Sequence, residues 1–319
     1  HGRNGEQHRR PVDSFGDNHM TLRVMQPIQI NEANITSTNV ALETAWTAGT
    51  YNLGDQRRVG ERNYEVSSTT TTQEPSATAT EWFDIGPANR YAAFDLQFGA
   101  DKYRVIETKT TNSGSIVYTL ESLTQITAMG FFGLSATNIK IVGTVTTTGD
   151  VANIDYDIKD DSDYAGSMFR WLFVPQTLER KYINFDLSIP AGASVEITIS
   201  NTIGIAAVGS ITMGLHDSYG TMETGVGRTL RSRSIKETSG TLTSLLRRTS
   251  SSRVSYPITL QGYQADPFWR LVDDLDGVAG VFAAPDDNPE LSAYGFITSA
   301  QTTALVSGIA KVKLEVESL

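Results

Sequence analysis

The sequence predicts a mainly β protein: a small N-terminal β-module, then a β-sandwich, then a C-terminal β-rich unit with one short helix. Three observations carry this. Short alternating or β-branched runs, bounded by Gly, Asn, Asp and Ser, recur about every ten residues from Thr21 onward. Hydrophobic residues make up 39% and charged residues 19% of the chain, a balance that folds rather than stays disordered. At 319 residues the chain exceeds what one hydrophobic core usually serves, so two or three units are expected.

Residues 1–20 precede the first strand-like run and hold three of the four histidines, His1, His8 and His19. They read as an expression remnant or as a native arm that reaches a neighbouring subunit, and they are assigned no chemistry. Residues 21–95 form the first β segment, with "TLRVMQPIQI", the stretch "WTAGTYNLGD" and a threonine tract, "SSTTTTQEPSATATEW". The tract reads as a long hairpin loop rather than an O-glycosylated linker, because Tyr64 and Trp82 on either side look packed. Residues 96–215 are the sandwich, with runs such as "SIVYTLES", "NIKIVGTVTTT" and "SVEITIS"; "TNSGS", Thr111 to Ser115, is expected to be a hairpin turn. Residues 216–319 are the C-terminal unit. Its helix is expected in "ADPFWRLVDDLDGVAG", with Asp266 as cap, Pro267 at the first helical position, Phe268, Leu271, Val272 and Leu275 on one face, and Gly277 as the stop. The closing strand is "KVKLEVESL".

Charge and composition exclude several functions. A formal net charge of −10 lacks the basic footprint that phosphate contacts need, so no nucleic-acid partner is expected. The absence of cysteine removes disulfides, thiolate metal sites and cysteine nucleophiles together. No run approaches the roughly 20 apolar residues of a membrane span, and the N-terminus lacks the apolar core of a signal peptide. His216 is the one histidine beyond residue 20, and "GLHDSYG" reads as a strand end and turn without a nucleophile elbow. Neither a catalytic residue nor a cofactor or metal site is therefore assigned, and the chain is expected not to be an enzyme.

Two charged stretches stand out. "DVANIDYDIKDDSDY" carries Asp150, Asp155, Asp157, Asp160, Asp161 and Asp163. It reads as a solvated acidic loop, with a calcium site or a glycosidase carboxylate pair as the alternatives. The stretch around Arg228 to Arg253, counted from Glu223, is basic: Arg228, Arg231, Arg233, Lys236, Arg247, Arg248 and Arg253 against Glu223 and Glu237, a local +5. Of these, Arg228, Arg231, Arg233, Arg247 and Arg248 are candidate assembly-interface residues, since complementary charge sets register between copies. The competing reading is positively charged strand edges that discourage aggregation.

The aromatic residues Trp46, Tyr51, Tyr64 and Trp82, with Gly54-Asp55 and Pro75, resemble the spacing of chitin-binding-type carbohydrate-binding modules. That resemblance implies glycan contact through these four rings, since aromatic faces stack on sugars; a packed mini-core is the competing reading. The sequence departs from the pattern at Arg57 and Val59, where such modules continue with a valine and an aromatic residue. A wider resemblance follows from the order of "EWFDIGPANRY", "ITAMGFFGLSATNIKI", "FRWLFVPQ", "FDLSIPAGASVEITISN", "IAAVGSITMGLHDSYGTMETGV", "RSRSIKET" and "YGFITSA". In that order they are similar to a family of tailed-bacteriophage virion proteins. The resemblance implies a homo-oligomeric structural component of the tail, in a baseplate, tail tip, fibre or collar, with other tail proteins and host-surface glycans as partners. A free or secreted carbohydrate-binding protein, or the non-catalytic part of a glycan hydrolase, is the alternative.

Overall fold

The computed structural model describes residues 21–319 apart from 77, 96–107, 123, 146, 148, 159–167, 170–178, 233, 240–241, 247–250, 285–288 and 307. The N-terminal stretch 1–20, Asp160, Asp161 and Asp163 of the acidic run, and Arg233, Arg247 and Arg248 of the basic one, lie outside the described residues. Among the described residues the protein is mainly β, with a 13-residue helix in its C-terminal third.

Strand β1 (Leu22–Pro27) leads into β2 (Ile35–Thr38). Five short strands follow: β3 (Tyr51–Asn52), β4 (Gln56–Val59), β5 (Arg62–Val66), β6 (Thr70–Thr71) and β7 (Trp82–Pro87). The sandwich strands are β8 (Thr110–Glu121), β9 (Ala128–Phe132), β10 (Asn138–Val145), β11 (Gly149–Asp157), β12 (Lys181–Asn184), β13 (Ser194–Val208) and β14 (Ser210–Tyr219). Then come β15 (Thr221–Met222), β16 (Gly227–Arg231), β17 (Ile235–Ser239), β18 (Leu242–Leu246) and β19 (Ser251–Gln261). Helix α1 (Gly262–Asp274) precedes β20 (Gly280–Ala283), β21 (Ala293–Val306) and β22 (Ile309–Ser318).

Two large antiparallel sheets result. A five-stranded sheet runs β11-β10-β13-β8-β2, and a ten-stranded sheet runs β12-β9-β14-β1-β20-β21-β22-β19-β15, with β16 also on β19. The first sheet turns Ile116, Tyr118 and Leu120 of β8, Ile139 and Ile141 of β10, and Val195, Ile197 and Ile199 of β13 onto Met129 and Phe131 of β9 and Ile211 and Met213 of β14. Period-two alternation produces this directly, because every second side chain of a strand falls on one face. Each such buried aliphatic side chain contributes about 1.5–3 kcal/mol.

Strand β1 lies in the middle of the ten-stranded sheet, with Met25 paired to His216 of β14 on one side and Val281 of β20 on the other. One continuous sheet thus threads residues from all three sequence segments. Leu22 and Val24 enter a core built on α1, whereas Met25 faces the other side with Phe185, Val281 and Tyr294. Buried side chains thus fall on both faces of the strand, while Arg23 is half-buried and Gln26 exposed.

Two local expectations are corrected. "TNSGS" lies inside the continuous strand β8, where Gly114 has φ +76°. Its partner β13 shifts register there, from Ser200 opposite Ser115 to Ile205 opposite Ser113. The Asn201 amide donates to the Ile205 carbonyl at 2.9 Å across that excursion, so the glycine serves an irregularity in a strand pair and not a hairpin. The helix begins about one turn earlier than expected, at Gly262 with Gln261 as N-cap, and Pro267 falls inside it. The face is as expected, since Phe268, Leu271 and Leu275 are buried, and Gly277 adopts φ +72° just beyond the end.

Candidate functional site

The small module lies in sequence between β2 and β8, two strands that pair with each other in the five-stranded sheet. Its strands β4-β5-β7 form one sheet and β3-β6 a second, and the space between them is filled by Tyr51, Tyr64, Val66 and Trp82. Tyr51, Tyr64 and Trp82 are each 5–6% exposed, and Trp46 is half-buried at their margin. Trp82 sets its ring edge-on to Tyr51, centroids 5.6 Å apart, and its indole N–H donates to the Gln73 carbonyl at 2.8 Å. The Tyr51 hydroxyl donates to the Thr47 carbonyl at 2.6 Å. The threonine tract folds over this core: Thr71 is buried, and its hydroxyl bonds to Glu81.

A stacking platform needs an open ring face, and these rings offer little. The Arg57 guanidinium sits 4.7 Å from the centre of the Tyr51 ring, so the residue that replaces the pattern's expected valine covers that ring by a cation–π contact. Gly54-Asp55 closes a turn in which Asp55 accepts the Asn52 N–H at 2.8 Å, with Gly54 at φ +85°. Exposed apolar side chains of the module are instead Leu53, Phe83 and Ile85, the last two on β7, an outer strand of its three-stranded sheet.

"DIGPANRY" has a structural task residue by residue. Asp84 accepts Arg62 Nε at 2.6 Å and the Gly86 N–H at 2.9 Å. Asn89 grips strand β8 at Thr111, donating from Nδ2 to its carbonyl and accepting its N–H through Oδ1, both at 2.8 Å. Arg90 donates through Nε and Nη2 to the Val40 carbonyl, at 3.1 and 3.0 Å, and its own carbonyl accepts the buried Tyr118 hydroxyl at 2.6 Å. Tyr91 donates to Glu32 at 2.8 Å; burial and the neighbouring carboxylate push its pKa up to about 12, so the phenol stays protonated. The segment is a latch that fixes the module onto the sandwich.

No protein family, curated protein or solved structure matches the chain.

The two described candidate arginines have partners within the chain. Arg228 meets Glu290 at 2.6 Å and Arg231 meets Glu317 at 3.2 Å. Nearby, Arg253 of β19 pairs with Glu315 of β22 at 3.2 Å, Lys313 with Glu315 along β22 at 2.8 Å, and Lys311 of β22 with Glu223, just beyond β15, at 2.7 Å. Solvent screens exposed pairs of this kind, so they add little to stability. Sequence reasoning missed the apolar side chains beside them. Leu230, Leu245 and Leu246 are more than half exposed, and β17 and β18 pair with each other in a two-stranded ribbon. The signal was present in "SLLRR", because adjacent leucines on a strand must point to opposite faces.

On the acidic side, Asp150, Asp155 and Asp157 lie along β11. Asn138 donates to Asp155 at 2.6 Å and to Asp157 at 3.1 Å, and the Thr144 hydroxyl donates to Asp150 at 2.9 Å. Among the described residues no three metal-ligating side chains converge. A cleft of about 260 Å³ is lined by Ile28, Ile30, Leu120 and Met213 with Asn34 and Glu121, below the usual size of a small-molecule site. Among the described residues no helix is long and apolar enough to cross a membrane.

His216 is a structural histidine. Its backbone N–H donates to the Thr127 hydroxyl at 2.8 Å, and that oxygen lies 2.9 Å from Nδ1, an arrangement suited to a neutral ring. Burial, then the Arg23 charge, lower its pKa below the ordinary 6.5, although Asp217 and Asp186 pull the other way. The unfolded chain therefore binds this proton more readily. Its contribution to stability is complete above about pH 6.5 and is lost as pH falls through the lowered folded-state value. Denaturant midpoints measured across this range should fall less steeply for His216→Gln than for wild type; parallel profiles would show that His216 does not carry the effect.

Proposed function

We propose that this protein is a non-enzymatic structural component of a bacteriophage tail apparatus, present as repeated copies in a baseplate, tail tip, fibre or collar. The observation that carries the reading is the latch. The residues of "DIGPANRY", on which the resemblance to tail proteins partly rests, bond the aromatic module to the sandwich through Asn89, Arg90 and Tyr118. A module held by paired backbone and side-chain bonds is a rigid mount, which suits a part that bears load and positions neighbours. Contact with host-surface glycans, the second element of the proposal, falls on the half-buried Trp46 and the exposed Phe83 more readily than on the enclosed rings.

Labelled antibodies on native particles, combined with the mass and symmetry of the labelled element, test the assignment. Binding to a ring or fibre of the tail is the expected result. Incubated with cell-wall and capsular polysaccharides, the purified protein should release no product. Reproducible cleavage that disappears when a carboxylate is substituted would overturn the non-enzymatic reading. Glycan binding without any association with particles would favour the free carbohydrate-binding alternative.

A further inference from the structure

The β17–β18 ribbon raises a physical problem. A two-stranded hairpin is marginal in water on its own, and this one pairs with no other strand among the described residues. It nevertheless presents Leu245 at 67% and Leu246 at 53% exposure, with Ile235 directly opposite Leu246 in the register. Residues 232–250 also carry four cations and one anion, +3 within a chain of −10. Two such arms repel one another, whereas the acidic remainder of a second copy attracts them.

The open sheet edges decide where the arm fits. The ends of the two large sheets are β11, β2, β12 and, both against β19, β15 and β16, the last a five-residue strand whose two arginines would repel a basic arm. Strand β15 has two residues, β2 has four with no charge, and β12 carries a lysine. Strand β11 has nine residues, three aspartates and no cation, and among the described residues it pairs with β10 alone. Its inward side chains Ala152, Ile154 and Tyr156 stay half-buried at the margin of the sandwich core. An added strand with an apolar face would cover them and continue the sheet.

We propose that the β17–β18 arm of one copy adds as a strand to the acidic β11 edge of a second copy of this chain. The contact is heterologous, arm to edge, so it repeats head to tail and closes a ring when the rotation permits. The inference rests on the reading of the protein as a repeated structural component and names the surface through which the copies join.

Two variants and their mixture test it. Leu245→Asp with Leu246→Asp disables the arm, and Asp155→Lys with Asp157→Lys disables the edge. Wild type should sediment as an oligomer at about 0.1 M salt and loosen at about 1 M, where the Debye length falls from about 10 Å to about 3 Å. Each double variant alone should self-associate about tenfold or more weakly. Mixed, they should form a one-to-one pair, because the intact edge of the first accepts the intact arm of the second. A second measurement does not depend on how the charge variants fold. The chain has no cysteine, so a Leu245→Cys copy mixed with an Asn153→Cys copy should give a disulfide-linked pair under mild oxidation. Wild-type oligomers that survive the arm variant, or cross-links between two Leu245→Cys copies in preference to the mixed pair, would overturn the arm-to-edge contact while leaving repeated copies intact. A wild type that is monomeric at every concentration and salt would overturn the contact; if it also failed to join tails, the tail reading would fall with it.

Discussion

Replacing Trp82 by Ala is expected to unfold the small module at a cost of about 3–5 kcal/mol, the range for a large buried aromatic side chain. The ring is 5% exposed and fills a core of four buried residues, Tyr51, Tyr64, Val66 and Trp82, so no surplus packing takes up the loss. Truncation also strips the Gln73 carbonyl of its indole donor and Tyr51 of its edge-on neighbour. The module should open while the sandwich stays folded, because its core is separate from the cluster between the large sheets. Hydrogen exchange should show lost protection from β3 to β7 and retained protection in β8, β10 and β13. Trp46, half-buried at the margin, should cost less when changed to Ala. A Trp82→Ala protein that keeps its stability but loses glycan binding would instead identify the ring as a sugar platform.

The same module shows what sequence can and cannot tell. Aromatic residues spaced across short strands announced a packed unit, and alternation marked the strands well: in β22, Val312, Leu314 and Val316 are buried while Lys311, Lys313 and Glu315 point outward. Pairing partners were not legible, because they are set by contacts far apart along the chain. Nothing local to Val24 says that it will lie between Asp217 and Phe282. Gly114 misled for a related reason, since a positive φ serves a turn or a strand irregularity equally, and only the partner strand distinguishes them. The basic stretch read either as an assembly surface or as positively charged strand edges that discourage aggregation. Its described arginines Arg228 and Arg231 find glutamates 62 and 86 residues away in the same chain, which spacing along the sequence does not reveal.

Replacing Phe268 by Ala should act on the other half of the protein, at a comparable cost of about 3–5 kcal/mol. Phe268 is fully buried where α1 meets the ten-stranded sheet, 5.5 Å from the Tyr219 ring and 5.8 Å from the Trp269 ring, both edge to face. Its cluster joins Leu22 and Val24 of β1, Tyr256 and Ile258 of β19, Phe282 of β20 and Leu314 of β22, so one cavity touches strands from both ends of the chain. Relaxation into that cavity is opposed by the helix itself. Gln261 caps one end, Leu271 and Leu275 are already packed, and the Tyr256 hydroxyl beneath is tied to the Leu291 carbonyl at 2.6 Å. The loss should therefore appear in the main unfolding transition, whereas Trp82→Ala lowers a separate, module-level one. Thermal melts of the two single variants and of the double variant decide the matter. Additive effects on two transitions are expected, since the sites share no packing partners. A single transition that both substitutions move would show that the latch couples module and sheet into one cooperative unit, and a Phe268→Ala protein as stable as wild type would show that packing of α1 contributes little to the C-terminal core.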